Sequence, residues 1–495
     1  MSSIELKRNP NRLEKNKSFV YKGVSYMHYA DIAFHQSAYY LFTKQQKILI
    51  VVLLFAISVS FIINWHATLV SAVILVTSIY FIDFFFNFFL IFRSFTSKHE
   101  LSFTEKEIKA HPKDWPSYTI LCPLYKEWAV IPQFVDAMKK LDYPQEKLQI
   151  LFLLEEDDLQ SQKVVKEFNL PSFFETVIVP HSLPKTKPKA MNFALSKIKG
   201  EYCVIYDAED VPDPMQLKKA ILGFNLSGEK VACIQAKLNF YNPKQNLLTK
   251  AFTAEYSLWF ELILPGLQTL NAPIPLGGTS NHFRTEGIKM LGGWDPFNVT
   301  EDADLGIRLF KKGYKTAILD SVTLEEANSD FLNWYNQRTR WIKGYIQTYV
   351  VHMRHPTTFD KGLLNSNMLL FQLIIGSKVF SLLVNPFMWL LTLSYFLFQF
   401  QFGSFVQSLY PPVVLYFAVA TLVFGNFLQI VYYMIGCYRK KEFALCKYAL
   451  IIPLYWVGMS IAAWKALYET FYKPYYWSKT KHGLHLEKPS IATNS

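Results

Sequence analysis

Two long stretches without a charged side chain decide what this chain can become. None occurs between Lys47 and Asp83, and none from Val379 through Tyr438, a run of 60 residues. A helical bilayer crossing takes about 20 apolar residues, so these runs exclude a wholly soluble protein. The lack of alternating short strands excludes an outer-membrane barrel. The charged fraction, 18%, falls below the roughly one quarter of an ordinary soluble chain, and the deficit lies in these runs. They predict two crossings within 47–93, near 47–64 and 68–92, joined by a tight uncharged turn. After a central domain, 363–468 holds three to four further elements. Residues 363–377 read as an interfacial helix, with crossings near 379–401 and 411–437. The stretch 448–464, interrupted by Pro453, is short for a crossing and compatible with a re-entrant segment.

Lys plus Arg (51) exceeds Asp plus Glu (39), a net charge of +12. In a membrane protein this excess reads as anchoring on the cytosolic side, and outside the membrane-flanking zones no basic block interleaved with aromatics suggests a nucleic-acid partner. Lys44, Lys47, Arg93 and Lys98 flank the first pair of crossings. That places the central domain in the cytosol of a multi-pass inner- or plasma-membrane protein. Residues 1–46 are basic (Lys7, Arg8, Arg12, Lys15, Lys17) and aromatic, suited to an anionic bilayer surface. The first apolar run is too long for a cleaved signal. Five scattered cysteines without a CxxC pair read as reduced, buried thiols. The basic, aromatic tail 469–495 suits a lid or a membrane surface.

The middle of the chain, 115–355, has the size of one domain. Strand-like runs at 118–123, 149–154, 176–179 and 202–206 alternate with helix-like segments at 131–141, 161–168 and 188–198. This predicts an α/β fold with right-handed crossovers and a parallel sheet. Such sheets bind ligands beyond the carboxyl ends of their strands. Acidic clusters sit there: Glu155-Glu156-Asp157-Asp158 and Asp207-Ala208-Glu209-Asp210. Carboxylates so spaced can share a hard divalent cation and leave places for phosphate oxygens. A solvated acidic turn explains either cluster alone equally well.

Three further motifs follow. Gly277-Gly278-Thr279-Ser280 lets backbone approach a ligand closely. Thr300-Glu301-Asp302 opens a helical pattern, so capping competes with catalysis as its role. In Gln337-Arg338-Thr339-Arg340-Trp341, helical spacing puts Gln337, Arg340, Trp341 and Gly344 on one face. A guanidinium beside an indole offers a diphosphate partner and a stacking surface for a sugar. An interfacial helix with Trp and Arg at headgroup level has the same pattern.

In this order, with Cys122-Pro123-Leu124-Tyr125-Lys126-Glu127 and Lys187-Pro188-Lys189-Ala190-Met191-Asn192 ahead of them, the motifs resemble those of membrane-embedded family 2 glycosyltransferases, the group containing bacterial cellulose synthase and hyaluronan synthase. The resemblance covers about 118–344 and the placement of crossings on both sides. It implies a GT-A fold, a Rossmann-like mixed sheet inserted between membrane helices, and an inverting hexosyltransferase using a nucleotide-diphosphate sugar, UDP-linked in preference to GDP-linked. On the donor side it implies Pro123, Tyr125, Glu127, Lys189 and Gln337, with Glu156 and Asp157 near base and ribose. Asp207 and Glu209 fall on the DxD pair for nucleotide and metal (Mg2+ or Mn2+). Asp210 follows at once, so which of Glu209 and Asp210 holds the metal stays open. Asp302 matches the general base, with Glu301 beside it, and Arg340 would steady the diphosphate. Trp341, Gly278, Thr279 and Ser280 fall on the acceptor side.

Three activities are compatible with this pattern: processive synthesis of an exported polysaccharide, single transfer to a lipid-linked acceptor, and an inactive scaffold or surface-receptor component. About 30 residues follow Trp464, too few for the cyclic-dinucleotide-binding domain of bacterial cellulose synthase, so regulation by that route is not expected.

Overall fold

The computed structural model describes residues 12–13, 18–21, 23–97, 100–111, 114–168, 170–359 and 365–483. Its centre is an eight-stranded mixed sheet formed by β1 (Tyr118–Leu124), β2 (Leu148–Glu155), β3 (Phe174–Val179), β4 (Tyr202–Ile205), β5 (Val211–Pro212), β6 (Val231–Phe240), β7 (Asn281–Arg284) and β8 (Lys315–Glu325). The spatial order is β3-β2-β1-β4-β7-β6-β8-β5. The four strands expected from the alternating pattern form its parallel half. Every residue of β1 and β2 is buried, as continuous apolar strands covered on both faces should be. Ile120, Cys122 and Leu124 point into one core and Leu121, Leu151 and Leu153 into the other, following the two-residue period of a strand. β1 pairs with β4 only as far as Leu121, so Pro123 lacks its N–H where β4 has already ended.

β7 runs antiparallel between β4 and β6. The turn before β7 therefore lies on the same edge as the carboxyl ends of β1, β2, β4 and β8. Sequence motifs separated by up to 200 residues are brought to one rim in this way.

Four helical stretches are long and apolar enough to cross a membrane by length and composition: Ala38–Thr96, Ser366–Leu397, Pro412–Arg439 and Phe443–Tyr472. The first is divided at Asn64, whose backbone is non-helical and whose Oδ1 accepts the Ala67 N–H at 2.9 Å. Gln46 at one end bonds the Val350 carbonyl, and Asp83 on the other arm pairs with Lys378 at 2.9 Å. Ser60 and Thr68, on the two sides of the break, meet at 2.7 Å, and Arg93 on the second arm bonds Thr269 at 3.2 Å, so this element is a hairpin whose two arms both return to the sheet domain.

Three expectations for the apolar segments change. The described residues of the stretch 363–377 do not form a separate interfacial helix. Ser366–Phe371 continues through a π-helical turn at Gln372–Gly376 directly into Ser377–Leu397. Pro453 does not interrupt the last segment. It stands in the first turn of Ile452–Tyr472, where a missing N–H costs nothing, and the helix runs 21 residues. The described part of the N-terminal segment lies on the sheet domain. Ser37 Oγ and the Ala38 N–H donate to Asp295 at 2.9 and 2.6 Å, and Tyr39 is buried against Phe297. Lys7, Arg8, Lys15, Lys17, Lys98 and the tail beyond 483 lie outside the described residues. All five cysteines are free thiols, four of them buried.

Candidate active site

A cavity of about 1310 Å³ opens at the rim where the strands end. Its walls include Pro123, Tyr125 and Glu127 after β1, Asp207 and Glu209 after β4, Gly278 and Thr279 before β7, and Glu301 and Asp302. Gln337, Arg340 and Trp341 close it from the helix Phe331–His352.

Local structure explains these placements. Asp210 is fully buried behind the rim; its Oδ2 accepts the Asp207 N–H at 2.7 Å and the Thr279 hydroxyl. That bond curls the turn so that Asp207 and Glu209 face the cavity. Glu209 lines the cavity, whereas Asp210 Oδ2 is committed to the turn and its buried Oδ1 has no hydrogen-bond partner. Thr300 occupies the N-cap of Glu301–Lys311 but makes no side-chain cap. Its hydroxyl faces Asn298 instead, and Asp302 Oδ1 accepts only the adjacent Ala303 N–H at 2.7 Å. Asp302 Oδ2 is thereby left facing Gly278 across the cavity, where an added Cβ would lie 3.5 Å away.

Arg338 and Arg340 divide the work of their motif. Arg338 donates to both oxygens of Glu255, at 3.2 and 2.5 Å, and to Tyr455, tying the helix to its neighbours. Arg340 points into the cleft beside Thr480 and Trp477. Trp341 stands against Tyr256, ring centroids 6.4 Å apart and inclined 30°. The helix approaches Thr300 closely because residue 344 is glycine; a Cβ there would lie 2.3 Å from Thr300 Oγ1.

Several donor-side expectations need correction. Lys189 is not in the cavity; it is fully buried and pairs with Glu155 at 2.8 Å, because its place on the helix Lys187–Ala194 faces the sheet. Lys187, one turn-end earlier, reaches the cleft and contacts Asp207 and the Gly278 carbonyl, the latter at 2.7 Å. Glu156 is taken up by the His181 N–H at 2.8 Å, and Asp157 by Lys185, so neither forms the wall. Ser280 turns away as well: its hydroxyl donates to Thr323 inside the sheet at 2.6 Å.

The electrostatics are those of crowded buried acids. Glu209 is pushed up to about 8 by burial and then by Asp207. Glu301 is also pushed up to about 8, by burial and then by the Asp302 carboxylate. Burial raises Asp302 too, against the Ala303 N–H and the charges of Lys187 and Arg340. Glu325, at the end of β8, is raised by burial and by Glu209 and Asp207. Such a rim gains from a cation, and the hard oxygen donors of Asp207 and Glu209 suit a divalent one.

Sequence reasoning missed four participants. Lys187 was legible as the first lysine of its motif, and Glu325 as the acid ending a β-branched run. For Lys479 and His482 the only signal was a basic, aromatic tail suited to a lid or a membrane surface. The tail folds back over the cleft, where Lys479 meets Glu127 at 3.3 Å and His482 Nδ1 meets Glu209 at 3.1 Å.

Residues 202–432 match the family model described as glycosyl transferase family group 2. The chain is 29% identical over 263 residues to a probable glycosyltransferase, YdaM, of Bacillus subtilis (strain 168), covering 51% of this chain and 61% of that protein. It is 29% identical over 266 residues to the UDP-forming cellulose synthase catalytic subunit of Pseudomonas fluorescens (strain SBW25), covering 52% and 35%. The chain therefore spans less than two thirds of these curated relatives. Among solved structures it resembles the mannosyltransferase PcManGT from Pyrobaculum calidifontis, solved with GDP-Man and Mn2+, at TM-score 0.50 and 17% identity over 82% of this chain and 99% of that one. That likeness confirms the GT-A-like sheet. The matched family model and the curated relatives point to the family 2 glycosyltransferases, and the fold agrees with them.

Proposed function

We propose that this enzyme is an inverting, divalent-cation-dependent transferase that extends a polysaccharide on the cytosolic face of a membrane and passes the product outward between its own helices. One observation carries this reading. The cavity that begins at Asp207, Asp302 and Arg340 continues between the apolar helices, past Tyr80, Asn385, Gln407, Tyr410 and Gln429. Polar and aromatic groups facing a passage inside an apolar bundle suit a hydrated sugar chain. Outside the bundle, Ile62 and Phe400 are exposed, as lipid-facing residues are. Arg93, Arg439, Lys441 and Lys473 lie at the sheet-domain ends of the helices, which supports a cytosolic catalytic domain.

In this mechanism the acceptor sugar stacks on Trp341, and Asp302 takes the proton from its attacking hydroxyl. Burial and the Asp302 carboxylate raise Glu301, which favours a shared arrangement with the proton on Glu301 and the charge on Asp302. Arg340 stabilises negative charge on the departing nucleoside diphosphate. A divalent ion, Mg2+ or Mn2+, held by Asp207 and Glu209 would neutralise the same group. Pro123, Tyr125, Glu127, Lys187 and Gln337 form the donor wall. A UDP-sugar is the preferred donor, in line with the UDP-forming relative.

The test is a panel of labelled UDP- and GDP-sugars given to the full chain in lipid vesicles with Mn2+ or Mg2+, with sizing of the product. A polymer that Asn385→Trp shortens is expected. A single sugar added to a lipid would select the non-processive alternative, and no turnover of any donor would overturn the reading.

A further inference from the structure

The wall of the passage between the apolar helices is built from rows of side chains three or four residues apart, which share one face of a helix. One row climbs the second arm of the hairpin, from Asn87 and Asp83 through Tyr80 to Thr77. Another climbs Ser377–Leu397, from Lys378 through Asn385 and Thr392 to Tyr395. At 1.5 Å per residue, Lys378 to Tyr395 covers about 25 Å, most of the hydrocarbon thickness of a bilayer. What this wall can bind is therefore what a product must be made of to cross.

Among the described residues that line the membrane part of the passage, Asp83 and Lys378 are the only charged side chains, and each is spent on the other. Lys378 Nζ lies 2.9 Å from both oxygens of Asp83 and 3.2 Å from Asn87 Oδ1, which occupies its three donors. Asp83 also accepts from Ser377 Oγ and Asn87 Nδ2, each at 2.9 Å. At the entrance below Trp341, Arg338 and Glu255 cancel in the same way. Farther out, the Tyr80 hydroxyl donates to Asn385 at 2.6 Å and Gln407 Nε2 to the Tyr395 hydroxyl at 3.1 Å. Uncharged donors and acceptors beside aromatic rings suit the hydroxyls and apolar faces of sugars. They give a carboxylate no counter-charge.

An ion inside a low-dielectric bundle has to be paired, and a polymer with an acid on every second or third sugar needs free cations at several levels at once. We infer that the polymer passed through this bundle is uncharged, built from neutral hexoses or N-acetylhexosamines, and that the closed Asp83–Lys378 pair keeps acidic sugars out. The inference rests on the polysaccharide-export reading above and names the class of its product. The pair is also the point at which this selectivity can be changed. The Lys378 side chain is 40% exposed, so removing the charge of Asp83 leaves an ammonium facing the passage without its counter-charge.

The test begins with the full chain in lipid vesicles, given labelled UDP-glucuronate together with each neutral UDP- or GDP-sugar in turn. A polymer free of glucuronate is expected. Because the donor pocket also selects, a second measurement isolates the passage. Short oligomers of the wild-type product are oxidised at the reducing end to an aldonate or reduced there to an alditol, so that the two probes differ by one charge. In calorimetry with the full chain in detergent, the wild type should bind the alditol at least about tenfold more tightly. Asp83→Asn should narrow that gap in a manner that added salt reverses, and Asp83→Asn with Lys378→Met should restore it. Glucuronate in the polymer, equal binding of both probes by the wild type, or a gap that Asp83→Asn leaves unchanged overturns the inference and leaves polysaccharide export standing. The first two of these readouts need no variant to fold. Absence of any polymer overturns both.

Discussion

Replacing Gly344 with alanine separates the packing of this site from its chemistry. The new Cβ would stand 2.3 Å from Thr300 Oγ1, 2.4 Å from its Cγ2 and 2.7 Å from its Cβ. Ordinary van der Waals contact begins near 3.4 Å. The helices Phe331–His352 and Glu301–Lys311 must therefore part by about 1 Å, which carries Arg340 and Trp341 away from Asp302. A misplacement of this size costs about 10²-fold in rate. The stability change should be smaller, because overpacking costs about 1–3 kcal/mol and the better helix propensity of alanine offsets up to about 1 kcal/mol of it. Steady-state transfer with the donor the wild type turns over, alongside thermal unfolding in detergent, measures both effects. Thr300→Ala in the same chain removes two of the three close contacts and should restore much of the lost rate. Wild-type kcat and KM in Gly344→Ala at an unchanged Tm would refute the reasoning.

Other substitutions probe the chemistry directly. Asp302→Asn should lower transfer by about 10²–10⁴-fold, the usual worth of a general base, with UDP binding measured by calorimetry unchanged. The two lysines of one motif should behave oppositely. Lys189→Met strands Glu155 in the core and should cost about 3–5 kcal/mol, read as a lower Tm. Lys187→Met should keep the fold and lose transfer. Stability should also depend on pH. Glu209 and Glu301 sit near 8 in the folded protein against an ordinary 4.5, so the unfolded chain releases these protons first. The contribution of these two groups to the stability of the metal-free protein should therefore be fully present below about 4.5 and be lost as pH rises through about 8. Glu301→Gln should flatten that slope in a Tm-against-pH series.

The apolar runs and the alternating elements of 118–206 were legible in the chain because both are local. A bilayer-length uncharged segment or a two-residue strand period needs no knowledge of what packs against it. The acidic turn after β4 was legible for the same reason, since strand ends are where such sheets bind ligands, whereas Glu156 and Asp157 after β2 are held by His181 and Lys185 away from the cavity. Which side chain of each motif faces the cleft was another matter. Lys187 and Lys189, Glu209 and Asp210, and Arg338 and Arg340 are chemically alike and one or two residues apart. Only the direction of each Cα–Cβ bond against its neighbours turns one toward the cavity and the other into the scaffold. The contribution of the tail was least legible, because it depends on contacts between residues separated by more than 100 positions, such as Asn333 with Lys481 and Glu209 with His482. Local chemistry along the chain specified the kind of enzyme and the rim on which it works. Long-range packing assigned the individual atoms, because burial and orientation are properties of the whole fold.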